Sequence, residues 1–164
     1  MGLLPVSLLS RRRFVATLAS AAPVLVMPQL MHAAAAEPRV LSFEHLHTGE
    51  RLGVEYFRGG RYLPDALGSV NHLLRDFRTG DEHAIDERLL DLLHDLSAVT
   101  ESRRPFQVIS GYRSPATNQM LRQHSEGVAS HSLHMQGQAI DIRLADVPLP
   151  KVRSAALSLH RGGV

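Results

Sequence analysis

The 164-residue sequence contains no cysteine and no tryptophan, and only 5% of it is aromatic. Without thiols, neither a disulfide framework nor a cysteine-ligated metal centre is available. The bulk of the chain also lacks a surplus of either charge. The formal net charge is +2, from 18 Lys and Arg against 16 Asp and Glu. Three of those bases, Arg11, Arg12 and Arg13, fall in residues 1–36, which hold no acid. The 15 bases left face all 16 acids, so residues 37–164 have no basic excess of the kind that marks a nucleic-acid face. No apolar run reaches the ~20 clean residues of a membrane span, because the stretch from Phe14 to Leu30 is broken by Pro23 and Pro28. At 44% hydrophobic and 21% charged, the composition is that of one globular domain able to bury its own core.

Residues 1–36 read as an export signal. A basic start ends in Ser10-Arg11-Arg12-Arg13-Phe14, an apolar stretch follows, and Ala33–Ala36 gives the small residues that a signal peptidase accepts. Ser-Arg-Arg-x-Phe resembles the twin-arginine consensus, which implies export of a folded protein. The expected mature domain is 37–164, free of a permanent membrane span, with the periplasm as its compartment and the twin-arginine machinery as a partner.

From residue 37 on, two β-biased runs, Val40–His47 and Arg51–Phe57, flank Thr48-Gly49-Glu50 and predict an antiparallel hairpin. Pro64-Asp65 opens a helix with the stripe Leu67, Val70, Leu73, Leu74 and Phe77. A second helix is expected from Asp86 to Thr100, with Leu89, Leu92, Leu93, Leu96 and Val99 on one face. Phe106–Ser110 reads as a strand, Ser114-Pro115 as a capped helix start running to Gln123, Gln138–Leu144 as a second core strand, and Pro148–His160 as a last helix. The order is not regular βαβ alternation. It predicts an α+β domain with a mainly antiparallel sheet and flanking helices.

The chemistry concentrates in Ser132-Leu-His134-Met-Gln-Gly137-Gln-Ala139-Ile-Asp141. Strand alternation sends Ile140, Ile142 and Leu144 towards a core and Ala139, Asp141 and Arg143 the other way. Gly137 permits a sharp turn that folds His134 back towards Asp141. Imidazole nitrogen and carboxylate oxygen are both good zinc ligands, but a catalytic zinc needs about three protein ligands and an open position.

This block, with Gly111-Tyr112-Arg113-Ser114-Pro115 upstream, resembles the zinc peptidases that cut D-amino-acid bonds in bacterial peptidoglycan. The group includes D-alanyl-D-alanine dipeptidases and carboxypeptidases, with a core shared by hedgehog and lysostaphin-type enzymes. The murein endopeptidase K-like branch is the most similar. The resemblance covers 37–164 and implies one Zn²⁺ held by His134 and Asp141. It also implies a catalytic Arg113 at the developing oxyanion or a substrate carboxylate, and Tyr112, Ser114 and Ser132 near the substrate. The substrate class implied is peptidoglycan stem peptides. In the family, the third ligand and a base come from a strand after the last helix. Here they are expected beyond Val164, so the domain reads as C-terminally incomplete, with its last strand missing.

The residues leave other readings open. His131 or His160 could stand in as a third ligand, although a surface loop and a helix end account for them. His45 and His47 share a strand face and read as exposed hairpin histidines. Arg103-Arg104 reads as a solvated pair. The rival functions are a D,D- or L,D-carboxypeptidase trimming stem peptides, and a non-catalytic cell-wall-binding module.

Overall fold

A computed structural model describes residues 37–162; the expected export signal lies outside them. The chain begins with a hairpin, β1 (Arg39–His45) and β2 (Arg51–Arg58), and a tight turn then adds the short β3 (Arg61–Tyr62). Helices α1 (Pro64–Leu73) and α2 (Glu87–Thr100) precede β4 (Phe106–Ser110). Helix α3 (Pro115–His124), a 3-10 turn (Leu133–Gln136), β5 (Asp141–Leu144) and α4 (Leu149–Ser158) complete the order. The strands form one sheet in the order β3-β2-β1-β4-β5. Every pairing is antiparallel except β1 with β4. The α+β architecture expected from the sequence is the one observed.

One sheet face is apolar and covered. Leu41 and Phe43 of β1, Tyr56 of β2, and Phe106 and Val108 of β4 meet Val70 and Leu73 of α1 and Leu90, Leu93 and Leu96 of α2. The two helical expectations shift in detail. Helix α1 stops at Leu73, so Phe77 is not part of its stripe and stacks instead on His47, ring centroids 4.2 Å apart. In α2 the inward face carries Leu90 and Thr100, whereas Val99 is half exposed. Thr100 can face inward because its hydroxyl donates to the Leu96 carbonyl at 2.7 Å, which removes the cost of burying an unpaired group. Asp91 of α2 ties the helix to the sheet by accepting from Tyr56 Oη at 3.0 Å and Tyr62 Oη at 2.8 Å and pairing with Arg39.

His45 is fully buried, contrary to the exposed position expected. Its Nδ1 accepts the backbone N–H groups of His47 and Thr48 at 3.2 and 3.4 Å and so closes the end of β1.

Candidate metal centre

Two structural devices bring the distant motif blocks together. The first is the β4–β5 register. Val108 faces Ile142 but Ser110 faces Asp141, so Ile109 is an extra residue on β4. Such a bulge re-aims the chain at the end of a strand. It sets Asp141 across from Ser110, next to Gly111. The second is the 3-10 turn. Ser132 caps it, its hydroxyl accepting the His134 N–H at 3.4 Å, and Gly137 ends it at φ +66°. A side chain at Gly137 would place Cβ 2.3 Å from the Ala84 carbonyl oxygen. Only glycine meets both the left-handed backbone and the close approach. The hydrogen bond from Gln138 N–H to the Leu133 carbonyl at 3.0 Å holds residue 138 in this turn, so β5 starts at Asp141 rather than at Gln138.

The result is a facing pair. His134 Nε2 stands 3.5 Å from Asp141 Oδ2. The other ring nitrogen, Nδ1, lies 2.8 Å from the Gly111 carbonyl oxygen. A carbonyl can only accept, so Nδ1 carries a hydrogen, and Nε2 is the nitrogen turned towards the carboxylate, with a lone pair there whenever the ring is neutral. Two acceptors facing at that distance are reconciled by a cation between them or by a proton on Nε2 that Asp141 accepts. Ligands at ~2.0–2.2 Å around a tetrahedral ion lie about 3.3–3.6 Å apart, and the observed spacing falls in that range. A metal-binding histidine normally has its second nitrogen fixed by a carbonyl or carboxylate, the role Gly111 fills here. The pair therefore fits two adjacent ligands of a metal such as the zinc expected from the sequence. No group of three or more His, Asp or Glu side chains placed to hold a metal occurs among the described residues, and neither His131 nor His160 is brought to the pair as a stand-in.

Arg113 adds positive charge. Its guanidinium lies 3.7 Å from Asp141 Oδ2, and its backbone N–H donates to the His134 carbonyl at 3.1 Å. The His134 hydrogen bond is the largest influence on the Asp141 carboxyl. Burial opposes it, the His134 and Arg113 charges reinforce it, and the net effect is a pKa below the ordinary aspartate value. Arg113 Nε is buried without a hydrogen-bond partner among the described residues, so this donor is left unsatisfied.

Tyr112 is half-buried at the edge of the loop, with its N–H on the Leu74 carbonyl at 2.7 Å. His83 stacks on its ring at 4.8 Å between centroids. Sequence reasoning missed His83, which sits in a polar connection with no periodic or motif signal. Ser114 is 1% exposed, and its hydroxyl accepts the Thr117 N–H at 3.2 Å as the N-cap of α3. Asn118, also buried, donates to the Ala129 carbonyl at 3.0 Å and so pins the loop before the 3-10 turn. No helix among the described residues is long and apolar enough to cross a membrane.

Known proteins match this arrangement at the level of sequence. Residues 33–164 match the family model described as peptidoglycan L,D-endopeptidase MepK. The peptidoglycan L,D-endopeptidase MepK of Escherichia coli strain K12 is 40% identical over 157 residues, covering 94% of this chain and 86% of the relative. A protein named probable peptidoglycan L,D-endopeptidase MepK from Haemophilus influenzae is 43% identical over 129 residues, covering 78% of this chain and 69% of the relative. No solved structure gives a significant match. The family match takes in the whole of the described domain, including both blocks that meet at His134 and Asp141, and the chain belongs to the peptidoglycan L,D-endopeptidase MepK family.

Proposed function

We propose that this chain is a zinc-dependent murein endopeptidase that hydrolyses peptide cross-links of peptidoglycan in cell-wall remodelling. The observation that carries the reading is the convergence of the His134 Nε2 lone pair and the Asp141 carboxylate at 3.5 Å, in a chain whose curated relatives are named for L,D-endopeptidase action. His134 and Asp141 would hold the zinc through those two atoms. Bound there, zinc would supply Lewis acidity to the scissile carbonyl and would lower the pKa of a water to about 7.

The chain's own residues supply orientation and charge. Gly111 holds the His134 ring in one tautomer. Arg113 presents a fixed cation beside Asp141, placed to receive a substrate carboxylate or the oxygen that gains charge as the amide is attacked. Tyr112 and His83 form a stacked pair, a flat surface suited to the face of a peptide bond. Ser114 and Ser132 support the site through the caps they make. A third protein ligand and a base complete the site in this reading. Export through the twin-arginine pathway, with action in the periplasm, is supported by the pattern Ser10-Arg11-Arg12-Arg13-Phe14 and the alanine run that follows.

The test is digestion of purified muropeptides by the protein as its gene encodes it. Dimers joined by an L,D bond are expected to fall to monomers while monomers stay intact. Release of terminal D-Ala from monomers would make the enzyme a carboxypeptidase. Retention on sacculi with no product from any substrate would overturn the hydrolase reading.

A further inference from the structure

We propose that Asp76, which lies on no element of the site, is a positioning residue that sets the His134 imidazole and the Arg113 guanidinium. The proposal rests on the metal-site reading above for its functional meaning, but its geometry stands alone. Asp76 is 1% exposed, and aspartate is almost never so buried unless paired. Its partners are not a cation. Oδ2 accepts the Ser114 N–H at 2.9 Å, 38 residues away, and Oδ1 accepts the Arg78 N–H at 3.0 Å. Burial pushes the Asp76 carboxyl up, but the nearby Ser114 and Thr117 hydroxyls and the Ser114 and Arg78 N–H groups outweigh it and hold it below the ordinary aspartate value.

Two residues before Asp76, the Leu74 carbonyl accepts the Tyr112 N–H at 2.7 Å, and a Cβ at Gly111 would lie 2.5 Å from that same oxygen. The segment Leu74–Asp76 therefore clamps Gly111–Ser114 at both ends. The clamped loop makes the two bonds that place His134: the Gly111 carbonyl takes the Nδ1 hydrogen at 2.8 Å, and the Arg113 N–H meets the His134 carbonyl at 3.1 Å. A buried carboxylate is a costly way to satisfy two backbone N–H groups when a neutral acceptor would serve. Its bond to the Ser114 N–H joins the segment after α1 to the start of α3 and fixes the loop's position, while the Arg78 N–H holds the carboxylate itself in place. A purely structural role, a negative group near the N-terminus of α3, is the competing account.

The experiment uses the ¹⁵N-labelled gene-encoded protein, its Asp76→Asn variant, and Asp91→Asn as the matched control. Asp91 is also a half-hidden or deeper carboxylate hub, but it binds Tyr56, Tyr62 and Arg39 away from the site. The imidazole ¹⁵N shifts of His134 in the metal-free protein should show one tautomer in the wild type and in Asp91→Asn, and a mixture in Asp76→Asn. Zinc dissociation constants, read by chelator competition, should weaken about 10–100-fold in Asp76→Asn, the range for groups that orient ligands, and stay within about twofold in Asp91→Asn. If Asp76→Asn does not fold, Thr117→Val, which removes a hydroxyl near the carboxylate, should produce the same displacement of the His134 shifts on a smaller scale. A variant that melts earlier but keeps the wild-type tautomer and zinc constant would overturn the proposal. A wild type that binds no zinc would sink the metal reading, while the tautomer comparison would still decide the role of Asp76.

Discussion

The Nδ1–H of His134 donates to the carbonyl oxygen of Gly111 at 2.8 Å, 23 residues upstream, and this bond decides which nitrogen faces Asp141. His134→Ala removes both the bond and the lone pair. It is expected to abolish stoichiometric zinc binding and muropeptide cleavage while costing about 1 kcal/mol of stability, the net worth of one hydrogen bond. Asp141→Asn, which keeps the size of the side chain and removes its charge, should weaken zinc in the same assay with still less effect on the melt. Calorimetric titration alongside urea unfolding separates the two effects. Equal loss of fold and metal would contradict the assignment.

Arg113 is the cation beside the pair. Arg113→Ala should lower kcat by about 10²–10³, the usual cost of one charge-stabilising donor, and leave zinc affinity within a few-fold. Arg113→Lys should recover little, because an ammonium cannot reproduce the planar fork. Steady-state kinetics on a purified dimeric muropeptide would check both, and a near-wild-type Arg113→Ala would remove Arg113 from the reaction.

Gly137 and Gly127 share a left-handed backbone, at φ +66° and +87°, but only Gly137 has a neighbour in the path of a Cβ. Gly127→Ala is expected to cost about 1–2 kcal/mol, the left-handed penalty alone. Gly137→Ala adds a collision with the Ala84 carbonyl and should cost about 2–5 kcal/mol in all. Urea midpoints report the difference, and equal costs would contradict the close packing of residues 132–138 on the segment before α2.

Much of this was legible beforehand, for physical reasons that can be named. Ser114-Pro115 announces a helix start through a local hydroxyl and a fixed φ, and the cap is found where expected. Gly137, His134 and Asp141 lie within eight residues, so turn chemistry and strand alternation suffice to bring them together. What escaped the sequence depends on long-range packing. Asp76 falls within the helix expected from the sequence to reach Phe77, and nothing local says that its carboxylate will meet Ser114. His83 meets Tyr112 only because the chain before α2 docks against it. Helical spacing puts Val99 on the inward face, and the Thr100–Leu96 bond lets Thr100 take that place instead.

His45 predicts a pH dependence. Burial is the largest influence on it, the His47 and Arg75 charges add to that while Glu50 opposes, and the net effect is a pKa below the ordinary histidine value. The unfolded chain therefore binds the proton more readily. The contribution of His45 is fully present above the unfolded pKa of about 6.5 and is lost as the pH falls below it. His94 is shifted the same way, again chiefly by burial, and shares the window. Asn at position 45 keeps an acceptor for the His47 and Thr48 N–H groups without titrating. His45→Asn should therefore show a smaller drop in melting temperature between pH 7 and 5 than the wild type. An identical drop would assign the effect elsewhere.

The most direct test of the account is cleavage of an L,D-linked muropeptide dimer by the gene-encoded protein, before and after chelation and after zinc is returned. The account predicts that chelation stops product formation, that zinc restores it in the wild type, and that zinc fails to restore it in His134→Ala. Equal product with and without chelator, or full recovery in His134→Ala, would contradict it.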